Sequence, residues 1–125
     1  MRRVFKTRQF AKWMRKIDLT DDALCLAVSE MVSGLVDADL GGDVLKKRVA
    51  LPGRGKRGGI RTLVATRRAS CWFFVFGFEK NEKANVSRTE LEALQWLAEQ
   101  LLGLTGPQLE GALQDGSLQE ICHEH

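Results

Sequence analysis

Residues 51–61 read LPGRGKRGGIR. Gly53, Gly55 and Gly58 satisfy G-x-G-x-x-G, the spacing of a dinucleotide-binding loop. Such a loop follows a strand and opens a helix, because the helix N-terminus holds the pyrophosphate. Here Gly58-Gly59 is followed by Ile60, Thr62 and Val64, the alternation of a strand. The match is therefore formal, and no G-K-[ST] step makes it a P-loop. The stretch reads instead as a turn between two strands. Two features set it apart from an ordinary solvated turn. Its four glycines let the backbone come close to a ligand. Its cations Arg54, Lys56 and Arg57 continue onto the flanking strands through Lys46, Lys47, Arg48 and Arg61.

Working outward, VLKKRVAL at 44–51 puts Val44, Lys46 and Arg48 on one face and Leu45, Lys47 and Val49 on the other. IRTLVATRR and CWFFVFGFEK read as two long strands joined by a tight turn near Ala69-Ser70. WFFVFGF is apolar on both faces, which places it centrally in a sheet. Towards the N-terminus, Phe10, Trp13 and Ile17 have helical spacing, with Arg8, Lys12, Arg15 and Lys16 on the wetter faces. RRVF before them suits a short first strand or a helix start. Thr20-Asp21-Asp22 opens a second helix, whose apolar stripe is Leu24, Val28, Met31 and Leu35, and Gly41-Gly42 closes that region. Ser87-x-x-Glu90 is a capping box before Leu91, Leu94, Ala98 and Leu101. Thr105-Gly106-Pro107-Gln108 starts a short further helix that Gly116 stops. SLQEICHEH at 117–125 has no assigned structure. The expected fold is α+β, in the order β-α-α-β-β-β-α, a twisted, mainly antiparallel sheet packed by helices. A first unit spans 1–103, and 104–125 form a C-terminal helical extension.

The chain of 125 residues is 44% hydrophobic, enough for one domain with a real core. Its net charge of +3 conceals segregation. Residues 1–16 carry seven Lys/Arg and no acid, 17–43 seven acids and no base, and 44–68 nine bases and no acid. Residues 89–125 carry seven acids and no base. Basic blocks attract phosphate. The acidic C-terminal segment reads as a solvated helical face. Cys25, Cys71 and Cys122 are odd in number, widely spaced and without a C-x-x-C step, which argues against a disulfide framework and for a reducing cytoplasm. The basic N-terminus lacks the apolar run of a signal peptide, and no stretch is long enough to span a membrane.

LKKRVALPGRGKRGGIRTLVA followed by FFVFGFEKNEKANV resembles the RelE/HigB superfamily of bacterial type II toxins, over about residues 2–102. The most specific parts are K-R-G-G-x-R at Lys56 to Arg61 and K-N-E at Lys80-Asn81-Glu82. The resemblance implies a metal-independent, cofactor-free endonuclease acting on mRNA at the ribosome. The RNA 2′-OH attacks the adjacent phosphate, giving a 2′,3′-cyclic phosphate and a free 5′-OH. It also implies a cognate antitoxin, often a helix-turn-helix protein, through which alone the complex touches operator DNA. Arg61 matches the family's strand arginine and takes the phosphate charge of the transition state. Lys80 matches the basic residue closing the central strand, as phosphate ligand or proton donor. Arg48 joins them as a catalytic candidate. Lys46, Lys47, Arg54, Lys56 and Arg57 are assigned to the RNA or ribosomal RNA backbone. Arg61 is expected on an exposed strand surface, where it adds little to stability.

The chain departs from better-known members in having no tyrosine and only two histidines, His123 and His125. The proton-transfer group is therefore open among a lysine, Glu79, Glu82, a tail histidine, or positioning and charge alone. Two alternative functions share the sequence: a ParE-like gyrase poison, and a nucleic-acid-binding regulator without catalysis. Cys122, His123 and His125 lack a second ligand pair at zinc spacing. Ser70 and Cys71 have no neighbouring base to make them nucleophiles. Trp13, Trp72 and Trp96 are assigned to packing before base stacking.

Overall fold

A computed structural model describes residues 2–51, 53 and 55–123, with the backbone alone at 55–58. The elements are β1 (Arg3–Thr7), α1 (Arg8–Met14), α2 (Asp21–Val32), β2 (Ala38–Asp39), β3 (Val44–Leu51), β4 (Gly55–Thr66), β5 (Cys71–Glu79), α3 (Arg88–Leu102), α4 (Gly106–Asp115) and β6 (Leu118–Ile121). They form one six-stranded sheet in the order β2-β3-β4-β5-β1-β6. Only β1 and β5 run parallel; the other four pairings are antiparallel. The α+β layout expected from the sequence is the observed one.

LPGRGKRGGIR resolves accordingly. Leu51 pairs with Gly55, and Gly53 has φ +77°, the left-handed conformation that glycine adopts without strain. Gly55, Gly58 and Gly59 then lie within β4 and not at a helix start. The dinucleotide reading is excluded.

Helices cover both faces. α1 and α2 bring Phe10, Met14, Leu24, Val28 and Met31 onto Leu45, Val49, Ile60, Val64, Trp72 and Phe74. On the other face α3 and α4 bring Leu94, Ala98 and Leu109 onto Phe5, Val44, Leu63, Ala65, Phe73 and Val75. This double coverage is why WFFVFGF is apolar throughout. The β4–β5 register slips between Leu63 and Val64, opposite Val75, so Val75 and Phe76 both face the α3 side.

Three features differ from the sequence reading. α2 ends at Val32, because Gly34 turns left-handed at φ +96°, and Leu35 is left exposed outside the stripe assigned to it. The unassigned tail supplies β6, which pairs antiparallel with β1, Ile121 opposite Val4. Last, two of the three cysteines do pair: Cys25 on α2 and Cys122 after β6 form a disulfide across a sequence separation of 97, leaving Cys71 free. Spacing along the chain carried no trace of it, because β6 returns beside α2 only once the sheet is assembled. Residues 104–121, read as an extension, thus add α4 and β6 to the common sheet and cores.

Candidate active site

The site lies where β5 ends against the longer β3–β4 hairpin. Arg48, Arg61 and Phe78 are cross-strand neighbours in register, so all three point to the α3 side of the sheet. Two guanidinium groups directly opposite each other are unfavourable unless something negative is shared between them. Arg48 is exposed and fastened at one edge. Its backbone N–H donates to the Asp37 carboxylate at 2.6 Å, and its Nε lies 3.7 Å from the other oxygen.

Arg61 is only 7% exposed, contrary to the exposed position expected of it. The physical reason is its place on an inner strand beside the buried Phe78. Its Nη1 is buried and, among the described residues, has no hydrogen-bond partner. An unmet guanidinium N–H costs free energy, of order 1–3 kcal/mol or more for a charged group.

Lys80 is the first residue past β5 and is exposed. Its strand neighbour Glu79 pairs with Ile60, which puts Lys80 at the same sheet end as Arg61. The turn that follows is held at both ends. Glu82 and Lys83 donate their N–H groups to the Glu79 carbonyl at 3.0 and 3.2 Å. Lys83 Nζ reaches both oxygens of Glu90 at 2.7 and 2.6 Å and lies 5.6 Å over the Phe76 ring. Glu90 also accepts from the Ser87 N–H at 2.9 Å, completing the capping box of α3. Hydrogen bonding from Lys83, then from Ser87, holds the Glu90 carboxyl below the usual glutamate range. Lys83 is thus a strut of the site. The sequence showed Glu90 as a cap but gave no periodic signal for its partner. A hydrogen bond with Glu79, helped by burial and by the charge of Glu79, moves Glu82 the other way, above the usual range. The Glu79 and Glu82 carboxyls therefore meet beside Lys80-Asn81.

The remaining assigned residues separate. Lys46 is half-buried, in register with Leu63 and Phe76, on the Arg61 side. Lys47 is 3% exposed and points the other way, where Nζ meets Glu30 at 3.0 Å and the Leu35 carbonyl at 2.9 Å. The structure does not display it to an RNA. Arg54 and the side chains of Lys56 and Arg57 lie outside the described residues. His123 lines a cleft with Arg2, Asp21, Cys25 and Glu120 at the β6 edge, three positions across the sheet from β4. It is remote from Arg61; His125 lies outside the described residues.

These features define a small α+β domain that gathers Arg48, Arg61 and Lys80 at one end of its sheet. Over residues 2–121 the chain matches the family described as RelE toxin of the RelE/RelB toxin-antitoxin system. It belongs to that family and is a toxin of a toxin-antitoxin system, with a cognate antitoxin as its partner. No curated protein matches the chain. Among the described residues, no helix is long and apolar enough to cross a membrane.

Proposed function

We propose that the protein is a metal-independent mRNA endonuclease that inhibits translation at the ribosome in the cytoplasm. The observation that carries the proposal is the buried Arg61 guanidinium, with an unpaired Nη1, facing Arg48 across the strand pair. That geometry suits a phosphodiester whose charge grows during reaction. The RNA 2′-oxygen attacks phosphorus, and the bond to the 5′-oxygen breaks. A 2′,3′-cyclic phosphate and a 5′-OH result. Arg61 holds the non-bridging oxygens, where a planar guanidinium binds two at once. Arg48, positioned by Asp37, shares that charge. Lys80 meets the phosphate or the leaving 5′-oxygen. The proton from the 2′-OH goes to a carboxylate of the Glu79–Glu82 pair, and the Lys80 ammonium supplies the proton to the leaving 5′-oxygen. The chain has no tyrosine, and His123 lies at the far edge of the sheet. Lys46, Arg54, Lys56 and Arg57 carry the flanking RNA or ribosomal RNA backbone. The antitoxin silences the toxin and alone brings it to operator DNA.

The test is induced expression of the wild type and of Arg61→Ala/Lys80→Ala, with mRNA 5′ ends mapped. New 5′-OH ends at in-frame positions are expected with the wild type. The double variant is expected to lose cutting by at least about 10²-fold, the usual cost of one transition-state donor. Growth arrest without new ends points to another target such as gyrase. Salt-sensitive RNA binding with neither arrest nor ends points to a non-catalytic regulator.

A further inference from the structure

β1 pairs with β5 only as far as Lys6 opposite Phe74, and the chain then turns at Thr7 into α1. The last part of β5, from Val75 onward, therefore has an edge without a strand neighbour on that side. Between it and α1 lies a cleft of about 290 Å³, walled by Phe10, Trp13, Phe76 and Gly77, with Lys12 and Lys16 at its rim. This is near the lower limit of small-molecule sites, suited to one flat ring system with its attached group.

The walls are arranged in a specific way. The Trp13 indole lies directly on Gly77: a Cβ there would stand 2.1 Å from Cζ3 of the ring. Phe10 meets Trp13 edge to face, with centroids 5.4 Å apart and planes at 61°. Trp13 is thus fixed, yet half-exposed into the cleft. The other two tryptophans differ: Trp72 is buried, and Trp96 is exposed on α3. Phe76 enters from the Arg61 side of the sheet and touches Phe78, Arg61's cross-strand partner, at 6.1 Å between centroids. Gly77 is three strand residues from Lys80, about 10 Å. Lys12 and Lys16 are exposed and, among the described residues, form no salt bridge. Among the described residues, no acidic residue lines the cleft. A ligand that is flat at one end and anionic at the other, beside a phosphodiester site, is a nucleotide.

We propose that this cleft is a nucleobase subsite. The base of a nucleotide flanking the scissile phosphate stacks on Trp13, and its backbone phosphate sits on Lys12 and Lys16. The inference rests on the nuclease reading above and deepens it, giving the enzyme a hold on one base outside the reacting phosphate.

The probe is a short single-stranded oligonucleotide, 2′-O-methylated throughout so that it cannot be cut, together with a series carrying one abasic position each. A Trp96→Phe background makes tryptophan fluorescence report chiefly on Trp13. The intact oligonucleotide is expected to quench that emission. Removal of one particular base should weaken binding about ten-fold, as one lost stacking contact does. Trp13→Leu should weaken the intact oligonucleotide by the same factor and leave the abasic one unaffected, since both changes delete one contact. Should Trp13→Leu fail to fold, Trp13→Phe and Lys12→Ala/Lys16→Ala replace it. The first should retain part of the base dependence. The second should lower affinity for every oligonucleotide and flatten its salt dependence. Equal losses from base removal with and without Trp13, or unchanged affinity in the lysine double variant, overturn the proposal. So does a Trp13 variant that binds RNA normally but no longer binds the antitoxin, which would make the cleft a protein site. Wild type that binds no oligonucleotide also overturns it, while the 5′-end mapping separately decides the nuclease reading.

Discussion

Arg61 and Lys47 are both buried cations, and they differ in how they are met. A charged group enclosed in protein is normally met by a partner, and Lys47 follows that rule through Glu30 and the Leu35 carbonyl. Arg61 does not: one of its nitrogens is enclosed and unmet. The two neighbouring strands thus carry cations in opposite situations, Lys47 paired and Arg61 with an unmet donor. Arg61→Met keeps most of the volume and removes the unmet donor. Urea unfolding should show stability unchanged or raised, by up to roughly 1–3 kcal/mol, while RNA cleavage collapses. A loss of stability beyond about 1 kcal/mol would mean that Arg61 supports the fold and would remove it from the site. Both residues read alike in the sequence, as cations on alternating strands, because the sign of a side chain does not say what encloses it.

At the scale of elements, β6 is a short strand held by its attachments. Arg3 donates from Nε and Nη2 to both oxygens of Glu120 at 2.9 and 2.8 Å. That hydrogen-bonded pairing holds the Glu120 carboxyl below its usual range and raises Arg3 above its own. Arg8 donates to the carbonyls of Asp115 and Gly116 just before the strand. The disulfide from Cys25 then ties the end of β6 to α2 on the other side of the sheet. A cross-link closing a loop near a hundred residues long stabilises by up to about 4–5 kcal/mol on the chain-entropy account. Reducing agent, or Cys25→Ser, should therefore lower the thermal midpoint of the protein. Cys71→Ser, which touches the free thiol, should leave that redox sensitivity in place. A midpoint that does not respond to reductant would show that the β1–β6 pairing and Arg3–Glu120 suffice.

Over the whole molecule, the segregated charge of the sequence is largely re-paired by folding. The acidic block of 17–43 meets basic residues through Lys6–Asp21, Lys47–Glu30, Arg48–Asp37, Arg67–Asp43 and Arg68–Asp39. The C-terminal acids meet Arg3 and Lys83. The positive field left over is therefore local. Among the described residues, Arg8, Lys12, Arg15, Lys16, Lys46, Arg61 and Lys80 enter no salt bridge. Affinity for single-stranded RNA should fall steeply and log-linearly with added salt, with a slope set by those few cations. Unfolding free energy should change far less, because exposed ion pairs contribute only about 0–1 kcal/mol each. Equal salt sensitivity of binding and stability would contradict this division.

The sequence by itself determined the elements that carry local signals. The β3–β4–β5 hairpins, the capped starts of α2, α3 and α4, the central place of WFFVFGF and the position of Lys80 at the end of β5 were all legible there. Each depends on periodicity, capping or turn chemistry within about a dozen residues. Three things only the tertiary structure decided. It paired Cys25 with Cys122, and it distinguished the enclosed Arg61 from the neutralised Lys47. It also brought Trp13 over Gly77 beside the open edge of β5. The reason is common to all three. Each is a relation between residues distant along the chain, set by which strands become neighbours and which helices cover them, and residue spacing holds no record of that.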